Sequence, residues 1–172
     1  MDDYNNDREW SDGFIPEIKR ILSGVLIAEA PFKEDTKHNT DLMVLNLKPY
    51  RIACRIRRNK YLEYSDQLTT RAGRPNGASS EFQKTRDGWG DIFFYGIANA
   101  AGTKLVFWIV GDLNVFRSYI ENYQRENNGE LPGILKTNKD GTEFRVIFYR
   151  EIPGFVVASS TDAKGIQRYL KQ

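Results

Sequence analysis

The stretch that decides the fold is "GDIFFYGIANAAGTKLVFWIVGDLNVFRSYIENYQ", residues 90–124. Its first two parts, "GDIFFYGIA" and "KLVFWIVGDL", are short, aromatic and β-branched, which suits strands. The "NAAG" between them is a turn signal, so the pair is expected as a hairpin. The third part changes period. Val115, Phe116, Tyr119 and Ile120 recur at helical spacing behind Asp112 or Asn114 as N-cap, which predicts an amphipathic helix.

Working outward, the same logic orders the rest of the chain. Upstream, Ile18, Ile21, Leu22, Val25 and Leu26 predict a helix from about Pro16 to Ile27, with Glu29 at its end. The run Leu42 to Leu45 is apolar on both sides and reads as a central strand. "RIACRIRR", Arg51–Arg58, alternates with period two and reads as another strand. "LTTRAGRPNGASS" has turn residues and no periodicity, so a mobile basic loop is expected there. Ser80 and Gln83 resemble a capping box for a short helix. Downstream, Asp140-Gly141 is a hairpin dipeptide ahead of the alternating "FRVIFYREI". "TDAKGIQRYLKQ" reads as a terminal helical turn. The order predicts an α/β or α+β fold, one mixed sheet flanked by helices.

The chain has 172 residues, 40% apolar and 28% charged, an ordinary globular composition sufficient for one core. Residues 1–12, with five acids against Arg8, are expected as a flexible acidic tail, and residues 13–172 as a single domain. No run approaches the roughly 20 apolar residues of a membrane span. The polar, acidic start predicts no secretory leader, and one cysteine allows no internal disulfide, so a cytoplasmic location is expected.

Charge is distributed unevenly. The net value is +2, yet residues 48–86 hold ten Lys and Arg against Glu63, Asp66 and Glu81. This asymmetry hints at a polyanion partner, with a solvated loop region that happens to be basic as the plainer alternative. In "RIACRIRR" the alternation assigns Ile52, Cys54 and Ile56 to the core, which would leave the thiol buried and inert. Arg51, Arg55 and Arg57 then share the other face. Same-side residues on a strand recur every ~7 Å, close to the spacing of successive phosphates. Arg58, Arg71, Arg74 and Lys84 are expected to join them on nucleic acid; the plainer alternative pairs the arginines with neighbouring carboxylates. The acidic tail is expected to fold over this face and mask it.

With His38 as the only histidine, histidine-pair metal sites are excluded, and neither a GxxxxGK[ST] nor a GxGxxG phosphate loop occurs. Carboxylates at strand ends, Asp41 and Asp91, with Glu29 and Glu81, could converge on a divalent cation or could simply satisfy turn amides. Trp89, between two glycines, is a candidate base-stacking platform, with core burial as the alternative.

The element order with Glu29, "TDLMVL" and "IACRIRR" resembles the restriction-endonuclease-like core of the PD-(D/E)xK nuclease superfamily over about residues 13–120. Glu29 matches the helix acid and Asp41 the strand aspartate. Ala53 and Arg55 stand where acid-x-Lys is expected. The resemblance implies a nuclease with Asp41, Glu29 and Arg55 as catalytic residues and Mg2+ held by Asp41 with Glu29 or Asp91. The text "TDL…RIA.R.RR" and "GWGD..FYG" is also similar to that of uncharacterised bacteriophage proteins. This implies, as the alternative, a non-catalytic protein that binds and inhibits a host nucleic-acid enzyme or defence factor.

Overall fold

The computed structural model describes residues 2–29, 42–44 and 50–162. The fold is mixed α/β. It carries a four-stranded mixed sheet and a three-stranded antiparallel sheet where the sequence suggests one sheet. Helices α1 (Asp2–Asp12) and α2 (Ile15–Leu26) lead into the short pair β1 (Ile27–Glu29) and β2 (Leu42–Val44). Then come β3 (Ile52–Arg57), a 3-10 helix (Asn59–Tyr64), β4 (Gln67–Gly73) and α3 (Glu81–Arg86). The hairpin β5 (Ile92–Ala98) and β6 (Leu105–Asp112) precedes α4 (Leu113–Glu126). Strands β7 (Ile134–Thr137), β8 (Glu143–Phe148) and β9 (Val156–Ser159) complete the sheets.

The larger sheet has the order β3-β5-β6-β9. Its centre is the expected hairpin, with Tyr95 opposite Ile109. β3 lies parallel to β5, pairing Arg55 with Tyr95 and Arg57 with Ile97. A parallel pair needs a crossover, and here the crossover supplies a strand to the second sheet. That sheet has the order β4-β8-β7, closed by the Asp140-Gly141 hairpin. Both faces of the larger sheet are covered. On one, Phe14 just ahead of α2 and Ile18, Ile21 and Leu22 within it bury Phe94, Ala98, Val110 and Ala158. On the other, Phe93, Tyr95, Ile97 and Ile109 meet Leu68, Phe82, Phe116, Ile147 and Phe155. Each fully buried side chain of this size contributes about 1.5–3 kcal/mol. Caps fall where the sequence puts them: Asp112 accepts from Asn114 and Val115 at the start of α4, and Ser80 from Gln83 at α3.

Four expectations change. Residues 2–12 form a helix instead of a flexible tail. It is nearly all polar and is held from outside, by Trp10 edge-on to Phe14 at 5.2 Å and by Asp7 on Arg58 at 2.8 Å. Residues 68–73 of the expected basic loop belong to β4, which pairs along β8 from Gln67↔Phe148 to Gly73↔Glu143 with a bulge after Arg71. The first long helix stops at Leu26, so Glu29 ends a strand. Finally, the two rows of β3 do not divide into core and solvent: of the expected core row only Ile56 packs against the α2 cluster. Ile52 is 37% exposed and Cys54 is open to solvent, whereas Ala53, Arg55 and Arg57 are half-buried. The reason lies in α2, whose apolar stripe packs over β5, β6 and β9 and touches β3 mainly at Ile56. Residues 163–172, which hold most of the expected terminal turn, lie outside the described residues, as do Asp41 and His38.

Candidate functional site

The half-buried row of β3 opens into a cleft of about 400 Å³ in the angle between the two sheets. Alternation in β4 builds the opposing wall. Leu68 and Thr70 turn into the interior, while Gln67, Thr69 and Arg71 line the cleft. Phe144 and Val146 of β8 continue that wall, and Lys136 of β7 and Asn138 extend it. Tyr95 forms the floor at 1% exposure. Tyr61 and Tyr64, from the 3-10 helix after β3, stand at the side, Tyr64 with 45% of its surface open. Four cationic side chains and three tyrosines therefore line the cleft, and no carboxylate is among the lining residues.

The cations are fixed to different degrees. Arg55 donates through Nη1 to Glu81 Oε2 at 2.5 Å, and the same oxygen accepts the Arg71 backbone N–H at 3.2 Å. Glu81 thus ties β3 to β4 and neutralises one arginine. Arg55 Nε is buried and has no hydrogen-bond acceptor among the described residues. Arg57 donates to Thr69 Oγ1, and its guanidinium carbon lies over the Tyr61 ring, 3.8 Å from its centre, a cation–π contact. Among the described residues Arg57, Arg71 and Lys136 make no ion pair. The Asp140 carboxylate acts on Arg71 only through space, without forming an ion pair.

A second groove of about 550 Å³ runs round β3, between that strand and α1. Arg55, Arg57 and Arg71 line it too, joined by Arg58 and Lys60 on one side and Asp7 and Asp12 on the other. Arg58 pairs with Asp7 and lies 4.5 Å over Trp10. The acidic segment does sit against the basic surface. Cys54 lies in this groove; solvent reaches it, yet the atoms crowding it push its thiol up, away from the reactive thiolate.

Other sequence candidates fall elsewhere. Arg51 is at the opposite end of β3, four residues or about 13 Å from Arg55. Its backbone N–H donates to Asp91 Oδ2 at 2.8 Å and its Nε to the same oxygen at 3.2 Å. Its Nη2 reaches Gly88 O at 3.1 Å. These hydrogen bonds hold the Asp91 carboxyl below the usual carboxylate range, the side-chain bond contributing most. Gly88 and Gly90 adopt positive φ (90° and 82°) to bring Asp91 there, and Arg117 of α4 fixes the turn by donating to Gly90 O. Trp89 projects from this turn, 64% exposed, with Arg51 5.9 Å from its ring centre and outside the cleft. Arg74 lies beside Arg71 and Thr142 in a shallow extension of the cleft, whereas Lys84 is exposed on α3 and does not line it.

The acids expected to hold Mg2+ are not brought together by the described residues. Asp41 is outside them, as is the Glu29 side chain, and Asp91 is engaged by Arg51. Among the described residues no three His, Cys, Asp or Glu side chains form a group able to hold a metal ion. No helix among them is long and apolar enough to cross a membrane.

Sequence reasoning misses Tyr61, Tyr64, Lys136 and the Glu81 clamp. A signal for the tyrosines is present: "RIRRNKYLEY" interleaves aromatic and basic residues directly after the arginine row. Lys136 carries none, because its place in the cleft depends on the pairing of β7 with β8. No protein-family model matches the chain, and neither a curated protein nor a solved structure is significantly similar to it.

Proposed function

We propose that this protein binds nucleic acid through the cleft between its sheets and the adjoining edge of β3. The observation that carries the reading is the convergence of Arg57, Arg71 and Lys136, unpaired among the described residues, beside three tyrosines and with no carboxylate in the lining. Phosphate supplies the missing negative charge, and arginine's fixed fork suits its oxygens. Binding is favoured over the metal-dependent cleavage implied by the nuclease resemblance, because Glu81 and Asp91 are committed to arginines. The acidic α1, with Asp7 on Arg58, acts as an internal competitor for the same surface.

The test is fluorescence anisotropy of a labelled oligonucleotide with protein freed of bound nucleic acid. Arg57→Gln with Arg71→Gln weakens binding, and Lys19→Gln on the exposed face of α2 does not. Equal affinity of all three proteins would remove the cleft from consideration. Parallel incubation with Mg2+ or Mn2+ reads the catalytic alternative directly, since a metal-dependent product lost in Asp41→Ala would make this an enzyme.

A further inference from the structure

The lining of the cleft goes further than charge, and on the nucleic-acid reading above it selects a form of the ligand. At about 400 Å³ the space belongs with small-ligand pockets, which run from roughly 300 to 1,000 Å³. A surface that served only to neutralise phosphates would be open and cationic. This one is recessed, floored by the buried Tyr95 ring and flanked by Tyr61 and Tyr64. Aromatic faces in such a recess are reached by a base only when that base is out of a duplex stack. The hydrogen-bonding inventory is mixed as a base edge requires. Gln67 and Asn138 offer both donors and acceptors, and Arg57 and Arg71 stand on facing strands where a phosphate could bridge them. Tyr64 is the exposed aromatic of the cleft, since Tyr95 is buried, Tyr61 is covered by Arg57 and Phe144 is half-buried in the wall.

We propose that the cleft takes one unpaired nucleotide, its base stacked on Tyr64 and its phosphate between Arg57 and Arg71, so that the protein selects single-stranded nucleic acid or strand ends over continuous duplex. The outer groove along β3 then follows the backbone of neighbouring nucleotides without reading their bases.

Three probes of equal length separate these roles: a single strand, a hairpin-closed duplex without free ends, and a strand of abasic deoxyribose phosphates. The wild type binds the single strand most tightly. Tyr64→Ala weakens that binding about 5- to 150-fold, the loss of one stacked base, and leaves the abasic strand unaffected. Tyr64→Phe keeps the stacking face and restores the preference. Equal binding of all three probes, or a preference unchanged in Tyr64→Ala, overturns the nucleotide pocket while leaving polyanion binding in place. Failure of the wild type to bind any of the three removes both the pocket and the function it rests on.

Discussion

Salt dependence of binding gives the most quantitative test of the cleft. Each phosphate contact releases condensed counterions, and for a single strand the slope of log K against log salt is about −0.7 per contact. Three cationic side chains of the cleft, Arg57, Arg71 and Lys136, are free of ion pairs among the described residues, while Arg55 is neutralised by Glu81. With one phosphate bridged by Arg57 and Arg71 and a second on Lys136, the cleft contributes a slope of about −1.4, a fall of about 7-fold between roughly 50 and 200 mM salt, to which contacts along the outer groove add equally in wild type and variant. Arg57→Gln with Arg71→Gln leaves one contact in the cleft, contributing a slope of about −0.7 and a fall of only about 2.6-fold over that range. Glutamine at 57 retains a donor for Thr69, and the cation–π attraction over Tyr61 that the variant gives up is worth about 0.5–2 kcal/mol at this half-buried site. The fold should therefore survive, as thermal unfolding of the variant checks. Anisotropy titrations at four or five salt concentrations yield both slopes. Parallel lines for wild type and variant would refute the reasoning, because the two arginines would then neutralise no phosphate whatever their effect on affinity at one salt.

Three further outcomes follow from the geometry. Asp7→Asn with Asp12→Asn removes the acids facing the basic groove; an exposed pair such as Asp7–Arg58 is worth about 0.2–1 kcal/mol, so oligonucleotide affinity rises about 1.5- to 5-fold, and unchanged affinity would mean that α1 does not compete. Gly111→Ala drives a methyl into the Phe155 ring and costs about 1–3 kcal/mol by urea denaturation, a cost that shrinks when Phe155 is leucine. Asp91 has its carboxyl held low by Arg51, so its stabilisation is complete above the ordinary aspartate value of about 3.9 and is lost as pH falls through the lower folded value. Asp91→Asn is accordingly less stable at neutral pH, and the gap between the denaturation midpoints of the two proteins closes in acid; a gap independent of pH would deny the linkage.

Local signals in the sequence are strong where the structure is local. The β5–β6 hairpin, the Asp112 and Ser80 caps and the Asp140-Gly141 turn depend on neighbours in the chain, and each forms as the residues indicate. Long-range features are not legible in the same way. In β4, Thr69 and Arg71 face a polar cleft, so the strand lacks the apolar alternation that would mark it, and the bulge at Gly73 leads into turn residues that obscure its end. In β3 the alternation is clear, but alternation alone does not say which row turns outward. Arginine ordinarily faces solvent, whereas Arg55 and Arg57 face a cleft created by a strand that pairs elsewhere, and the apolar row runs beyond the reach of α2. The helix α1 has no apolar stripe, and its order comes from Trp10 and Asp7 meeting Phe14 and Arg58. Of the site, the arginines at 55, 57 and 71 are readable from charge. The tyrosines and Lys136 need the register of two sheets to bring them together.

Because Arg57 belongs to one sheet and Lys136 to the other, whatever occupies the cleft becomes a cross-brace between them. A brace of this kind acts on the whole molecule. It resists separation of the sheets, and its strength is set by concentration through mass action. At a hundredfold excess over Kd it adds about 2.7 kcal/mol, which for a chain of this size raises the unfolding temperature by about 5–11 °C. The melting curve is thus a reporter of occupancy that requires no label on the ligand and works on a mixture whose active component has yet to be identified.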